Sequence, residues 1–146
     1  MSKKSTNLVE SIKYRKGYKY QLHEDYIYSL DFDVPIDETQ PFVQLQANNI
    51  MIIKEGYAWD GTSGGVPDTK RNLRASLIHD ALYQLIRHQI LDFKTHRDKS
   101  DRLFQKVCVK DGVWRFIAYT YYMGLKMFGG KAASHKSKKP ILQAPK

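Results

Sequence analysis

The chain has 146 residues, of which 42% are hydrophobic and 12% aromatic, and this composition excludes a wholly disordered protein. No apolar run reaches the ~20 residues that a transmembrane helix needs, and the first residues lack the apolar stretch of a secretory signal. A single cysteine, Cys108, excludes an internal disulfide framework and a multi-cysteine zinc site. We therefore expect no signal peptide, no membrane-spanning segment and a fold held by packing.

The net charge of +9 is concentrated at the two ends of the sequence. Residues 1–16 and 129–146 account for the whole surplus, since residues 17–128 carry equal numbers of basic and acidic side chains. We expect a flexible N-terminus over residues 1–10, a single domain over residues 11–128 and a basic flexible tail over residues 129–146. Each charged end is either a solvated tail or a segment that binds DNA or another phosphate-rich partner.

Residues 11–56 are predicted to form β structure. Five tyrosines fall on even positions, as expected for one face of a strand: Tyr14, Tyr18, Tyr20, Tyr26 and Tyr28. Two apolar runs, Phe42–Leu45 and Ile50–Ile53, indicate further strands joined by a turn at Asn48 and Asn49. We expect three to five short strands, mostly antiparallel because no helix intervenes between them.

The rest of the chain is predicted to be a glycine-rich loop followed by three helices, which makes the fold class α+β. The loop covers residues 57–67, with its aromatic side chains on the surface, and Asp68 or Thr69 can cap the first helix. Apolar spacing places the helices from about Asp68 to His88, Thr95 to Lys110 and Val113 to Phe128. The aromatic third helix suits a membrane surface or a core, and we expect it to pack on the other helices and the sheet.

Four polar residues on the first two helices form the candidate site. His79 and Tyr83 are four positions apart and share a helix face. If the helices pack antiparallel, Asp101 can bond one nitrogen of His79 and leave the other as a base, while Tyr83 donates to Asp101. Asp80 is placed to ligate a hard cation such as calcium, with backbone carbonyls of the glycine-rich loop. A structural interpretation stays open, in which these groups form an interhelical hydrogen bond and Asp80 lies on the surface.

The motif His79-Asp-x-x-Tyr83, followed on the next helix by Asp101-x-x-Phe104, resembles the active site of secreted phospholipase A2. It is closest to the disulfide-free version found in parvovirus capsid proteins. The resemblance implies that His79 is a general base that activates water and that Asp101 orients it. It also implies that Asp80 holds calcium, which stabilises the oxyanion together with a backbone amide.

The calcium loop is the weaker part of this resemblance. Gly61, Gly64 and Gly65 match the loop of the phospholipases only loosely, because Trp59–Thr62 is not the same turn. Asp60 is either an additional cation ligand or a turn cap. The phospholipases also have no counterpart of the β region that precedes the loop.

Longer motifs resemble a small family from tailed phages and prophages that is known as a domain of unknown function. They are Gly56–Gly64 (GYAWDGTSG), Asn72–Ser76 (NLRAS), His79–Tyr83 (HDALY) and Phe128–Gly130 (FGG). This resemblance implies a phage protein, located in the virion or the host cytoplasm, and it implies no activity.

Two hypotheses for the function follow. The first is a calcium-dependent ester hydrolase that acts on phospholipid or another anionic substrate through His79, Asp101 and Tyr83. Basic side chains outnumber acidic ones over residues 61–128, which suits an anionic headgroup. The second is a non-enzymatic phage protein, such as a virion component, whose basic ends contact neighbouring subunits or DNA.

Overall fold

The computed structural model describes residues 12, 14–15, 19–62 and 66–130, which belong to two compact units. The first unit ends at Asp60 and holds the strands, and the second begins at Gly61 and holds the helices. The predicted α+β class is therefore confirmed. The single domain over residues 11–128 stays a prediction, and the predicted flexible ends lie outside the described residues, apart from Gly129 and Gly130.

The described residues of the first unit form six short strands, one more than the upper end of the predicted three to five. They are β1 (Tyr14–Arg15), β2 (Tyr20–Leu22), β3 (Tyr26–Ser29), β4 (Val43–Gln46), β5 (Ile50–Ile53) and β6 (Ala58–Trp59). All pairings are antiparallel, as expected, in two three-stranded sheets with the orders β1-β2-β6 and β3-β5-β4. Every second residue of β4 and β5 points inward, and the cross-strand pairs Val43–Ile53 and Leu45–Met51 are fully buried. These pairs hold the register of the second sheet.

The predicted turn between β4 and β5 is confirmed. A 3-10 turn over Ala47–Asn49 joins the strands, and Asn48 and Asn49 have left-handed φ angles of 64° and 61°. Asparagine adopts this backbone region more readily than most residues. The side-chain oxygen of Asn49 also accepts a hydrogen bond of 2.9 Å from the backbone N–H of Val34, which ties the turn to the preceding loop.

The prediction that the aromatic residues of the glycine-rich loop lie on the surface is wrong. Tyr57 and Trp59 are only 3% and 2% exposed, because Ala58–Trp59 forms strand β6. Trp59 pairs with Tyr20 of β2, and the centroids of the two rings lie 5.5 Å apart. The partner strand lies far away in the sequence, so the local pattern could not reveal this pairing.

The second unit contains three helices, close to the predicted positions. They are α1 (Leu73–Arg87), α2 (Phe93–Lys110) and α3 (Arg115–Phe128). Helix α1 begins later than predicted because its N-cap is Asn72, not Asp68 or Thr69, and the Asn72 side chain accepts a hydrogen bond from the Thr69 N–H at 3.0 Å. Helix α2 begins two residues early because the Asp92 carboxylate caps its first turn through a bond of 2.8 Å.

Helices α1 and α2 pack antiparallel. Arg74, near the start of α1, forms a two-pronged ion pair of 2.8 and 2.9 Å with Asp111 after the end of α2, whereas His79, further along α1, meets Asp101 earlier in α2. Apolar side chains from both helices fill the space between them, and Cys108 is fully buried there. Burial, assisted by the charge of Asp111, raises the pKa of the Cys108 thiol to about 12, so the thiol stays protonated and inert.

Helix α3 packs through only one side. Ala118, Tyr122 and Leu125 are its buried residues, and the helix packs on α2, whereas the expected packing on the sheet stays a prediction. The expectation that the aromatic residues are core residues is wrong for Trp114 and Phe116, which are 78% and 72% exposed. Within the described part of the chain, none of the helices combines the length and the apolar character needed to cross a membrane.

Candidate active site

Helix α1 carries three of the predicted site residues. His79 and Tyr83 lie on one face, with ring centroids 4.0 Å apart, and both are buried, with 4% and 2% of their surface exposed. The ring of Phe104 from α2 meets the imidazole edge-on, with centroids 5.5 Å apart. Asp80 follows His79 in the helix and is half-buried. The aromatic neighbours hold the imidazole in one orientation.

The carboxylate of Asp101 brings the two α1 side chains together. One oxygen, Oδ1, lies 2.7 Å from Nε2 of His79 and accepts a hydrogen bond of 2.6 Å from the Tyr83 hydroxyl. Asp101 is 1% exposed, and a buried carboxylate requires such partners. An ionised carboxylate only accepts hydrogen bonds, so Nε2–H of His79 donates, and Nδ1 is the unprotonated nitrogen of the neutral ring. The structure therefore has the predicted convergence of His79, Tyr83 and Asp101.

Tyr83 acts as a permanent donor in this network. Its pKa is raised above the ordinary range, chiefly by burial and then by the negative charge of Asp101. Deprotonation would place two buried negative charges in contact, which is unfavourable in a medium of low dielectric constant. The Tyr83 hydroxyl therefore remains protonated around neutral pH and keeps one lone pair of Asp101 occupied.

Arg97 is a member of the network that the sequence analysis did not identify. Its Nε lies 4.0 Å from Oδ2 of Asp101, one helical turn away, and offsets the buried negative charge. Its Nη2 donates to the carbonyl oxygens of Leu125 and Lys126 at 2.9 and 2.5 Å. The i, i+4 spacing of Arg97 and Asp101 was a usable signal in the sequence. Arg97 therefore connects the Asp101 carboxylate to the last turn of α3.

Gly129 is the second residue of the site that the sequence analysis did not identify. It follows α3, where a β-carbon would lie 2.7 Å from the Leu125 carbonyl oxygen and 2.8 Å from the Tyr83 hydroxyl oxygen. Real β-carbons do not come so close to either atom. The hydroxyl of Tyr83 and the end of α3 can therefore meet only because residue 129 has no side chain.

Replacing Gly129 with alanine is expected to destabilise the helical unit by ~1–3 kcal/mol, since the added methyl group displaces either the Tyr83 hydroxyl or the last turn of α3. Gly130→Ala is the matched control, because a β-carbon there meets Arg97 at an ordinary distance of 3.5 Å. Urea denaturation followed by far-UV circular dichroism measures both variants. Equal stability of the two variants would show that the close packing at residue 129 is unimportant.

Where the structure describes the glycine-rich loop, the carboxylate of Asp68 lies against Gly61 and Thr62. Gly61 has a φ of 90°, and the Asp68 carboxylate packs against its α-carbon. The same carboxylate accepts hydrogen bonds from the backbone N–H and hydroxyl of Thr62, at 2.8 and 2.9 Å. The Thr62 hydroxyl also bonds the Val66 carbonyl oxygen. Asp68, expected as a candidate helix cap, thus bonds Thr62 within the loop instead.

The predicted cation ligands are divided between the two units. Asp60 is exposed at the end of the first unit, while Gly61 and Asp80 belong to the second. Among the residues that the structure describes, no three His, Cys, Asp or Glu side chains are grouped so that they could hold a metal ion. A cation at Asp80 therefore needs backbone oxygens to complete its coordination, as calcium sites commonly use.

A family model matches residues 36–125, which is more than half of the chain. Its description is "Protein of unknown function (DUF1353)". The chain belongs to this family. No curated protein and no solved structure matches the chain. The matched DUF1353 segment contains all six predicted site residues, which are Asp60, Gly61, His79, Asp80, Tyr83 and Asp101.

The DUF1353 segment covers only part of the chain. It begins before β4, ends within α3 and excludes both basic ends of the sequence and Gly129. The elements of the structure within this segment are therefore the β4–β5 hairpin, β6, α1, α2 and the part of α3 that ends at Leu125. The hydrogen-bonded group on α1 and α2 lies within this segment.

Proposed function

We propose that this DUF1353 protein is a calcium-dependent ester hydrolase that acts on phospholipids. The observation that carries the proposal is the single carboxylate of Asp101 that bonds both the imidazole of His79 and the hydroxyl of Tyr83. An imidazole needs a fixed orientation and tautomer to act as a general base, and a buried carboxylate on one ring nitrogen provides both.

In the proposed reaction, Nδ1 of His79 removes a proton from water as the water attacks the ester carbonyl. The ring then carries a positive charge, and the Asp101 carboxylate at 2.7 Å stabilises it. Asp101 and Tyr83 are positioning residues, because they act on the substrate only through the imidazole. The breakdown of the intermediate returns the proton from His79 to the leaving alcohol.

We place calcium at Asp80 in this proposal. The carboxylate is half-buried and follows His79 directly, and hard oxygen donors of this kind suit calcium. When bound, calcium supplies a positive charge for the oxygen of the ester carbonyl as negative charge develops there. Backbone oxygens of the loop that begins at Gly61 are the remaining proposed ligands. Asp60, the residue before Gly61, is a further proposed ligand.

We also propose an origin, a location and a substrate for this protein. The motif resemblance supports a phage origin and a location in the virion or the host cytoplasm. Basic side chains outnumber acidic ones over residues 61–128, which favours an anionic phospholipid as the substrate. The rival proposal is a non-enzymatic phage protein whose basic ends bind neighbouring subunits or DNA, and an inert protein in the assay below would favour it.

Removal of calcium is expected to lower fatty acid release from phospholipid vesicles by about 10²-fold or more, because metal ions contribute several kcal/mol to the stabilisation of a developing oxyanion. The Asp80→Asn variant should lose activity to a similar extent at millimolar calcium and recover part of it at higher calcium. Asp31→Asn, at an exposed aspartate of the first unit, is the control. Activity that persists in a calcium chelator would rule out the proposed role of the metal.

A further inference from the structure

Helix α3 and the residue before it present an unusually apolar surface. Eight large hydrophobic residues are exposed in the described part of the chain, and six of them belong to this segment: Trp114, Phe116, Ile117, Tyr119, Met127 and Phe128. We call these six residues the α3 face. Trp114, Phe116, Met127 and Phe128 are each exposed by about two-thirds or more, from 66% to 78%. Monomeric proteins rarely expose so many large apolar groups together unless the patch binds something.

The charged side chains that helix α3 itself carries are all positive. The helix carries Arg115 and Lys126, both exposed, and residues 113–128 contain no acidic side chain. Beside the N-terminal half of the helix lies an open cleft of about 510 Å³, and Lys70, Arg71 and Trp114 are among the residues that line it. An occupant of this surface must therefore be apolar where it meets the helix and negatively charged where it meets the cations.

We propose that the α3 face binds the surface of an anionic phospholipid bilayer. Tryptophan and tyrosine prefer the level of lipid headgroups, and phenylalanine and methionine can enter the acyl region below it. Lys70, Arg71 and Arg115 would contact lipid phosphates. Since Ala118, Tyr122 and Leu125 fix the opposite side of α3 in the protein core, the helix would lie along the bilayer surface. This binding does not depend on hydrolysis.

Sedimentation with vesicles tests the proposal. The protein should bind vesicles of phosphatidylcholine with phosphatidylglycerol more tightly than vesicles of phosphatidylcholine alone, and salt should weaken the binding. The double variant Phe116→Ser/Met127→Ser should bind at least ~10-fold more weakly, because two large apolar side chains no longer leave water. Ile36→Ser is the matched control, since Ile36 is 67% exposed on the first unit.

Charge substitutions and fluorescence provide a second readout. Lys70→Gln and Arg71→Gln should each weaken binding to the anionic vesicles by about fivefold and leave binding to neutral vesicles unchanged. Trp114 is 78% exposed, whereas Trp59 is 2% exposed, so a blue shift of tryptophan emission on adding vesicles should disappear in Trp114→Phe. A blue shift that persists in Trp114→Phe would contradict docking through this face.

Two results would overturn the bilayer proposal. One is equal binding of Phe116→Ser/Met127→Ser and the wild type to anionic vesicles. The other is a wild-type dimer that the same double substitution dissociates, with no binding to vesicles, which would show that a second copy covers the face. Failure of the hydrolase proposal looks different, because the wild type then binds vesicles and releases no fatty acid. If both proposals hold, His79→Gln binds vesicles normally and releases fatty acid about 10²–10⁴-fold more slowly than the wild type.

Discussion

Replacing His79 with glutamine is expected to lower the rate of fatty acid release by about 10²–10⁴-fold, the usual contribution of a general base. The glutamine amide N–H can still donate to Asp101, so the buried carboxylate keeps a partner. The amide cannot accept a proton from water at neutral pH, and this difference isolates the chemical role of the ring. Release of fatty acid from vesicles in millimolar calcium measures the effect.

The control for His79→Gln is a substitution between the same two helices. Arg74→Met removes the ion pair with Asp111, in which the Arg74 side chain is only 5% exposed, and so loosens the α1–α2 contact without touching His79. If the loss of hydrolysis came from weaker helix packing, Arg74→Met would show it too. Wild-type rates in His79→Gln would instead favour the structural interpretation and the non-enzymatic proposal.

The central part of the site could be predicted because it depends on local geometry. His79 and Tyr83 share a face in any regular helix, and the short connection between α1 and α2 makes antiparallel packing the simplest arrangement. The motif then needs only one tertiary contact, at Asp101. The close contact of Gly129 and the bonds from Arg97 to the end of α3 were less accessible, since both depend on where the end of α3 lies relative to α1 and α2.

The errors in the fold have a related cause. Trp59 is buried because it pairs with Tyr20. The composition of the glycine-rich segment around Trp59 does not reveal a partner that lies so far away in the sequence. Asp68 was a plausible helix cap by type, but its carboxylate is used by Thr62 in the loop instead. In both cases a tertiary contact decides between local structures that the sequence pattern permits.

Helix α3 shows a different limit of sequence patterns. Its apolar residues occupy most of the helix circumference, so periodicity alone does not identify which side faces the core. Packing on α2 selects Ala118, Tyr122 and Leu125, and Phe116 and Met127 remain outside. The sequence predicted that the helix packs on its neighbours, whereas the structure adds that a second, equally apolar surface is exposed.

Replacing Asp101 with alanine is expected to destabilise the helical unit by ~3–5 kcal/mol, the largest stability effect among the site residues. The substitution leaves the Nε2–H of His79, the hydroxyl of Tyr83 and the Arg97 cation without their shared carboxylate in a buried position. Tyr83→Phe removes only one of these bonds and should cost ~1.5–3 kcal/mol, as for a hydrogen bond to a charged group. Urea denaturation followed by far-UV circular dichroism measures both.

Asp101→Asn separates the structural role of the carboxylate from its proposed chemical role. The amide oxygen can still accept from His79 and Tyr83, so the loss of stability should be smaller than for Asp101→Ala. The neutral amide cannot stabilise the positive imidazole that forms when His79 takes a proton, and its N–H₂ group can favour the wrong tautomer of the ring. Hydrolysis should therefore fall by about 10²-fold or more in a protein that remains folded. A fall in activity no larger than that of an equally destabilised Arg74→Met protein would mean that Asp101 serves the fold alone.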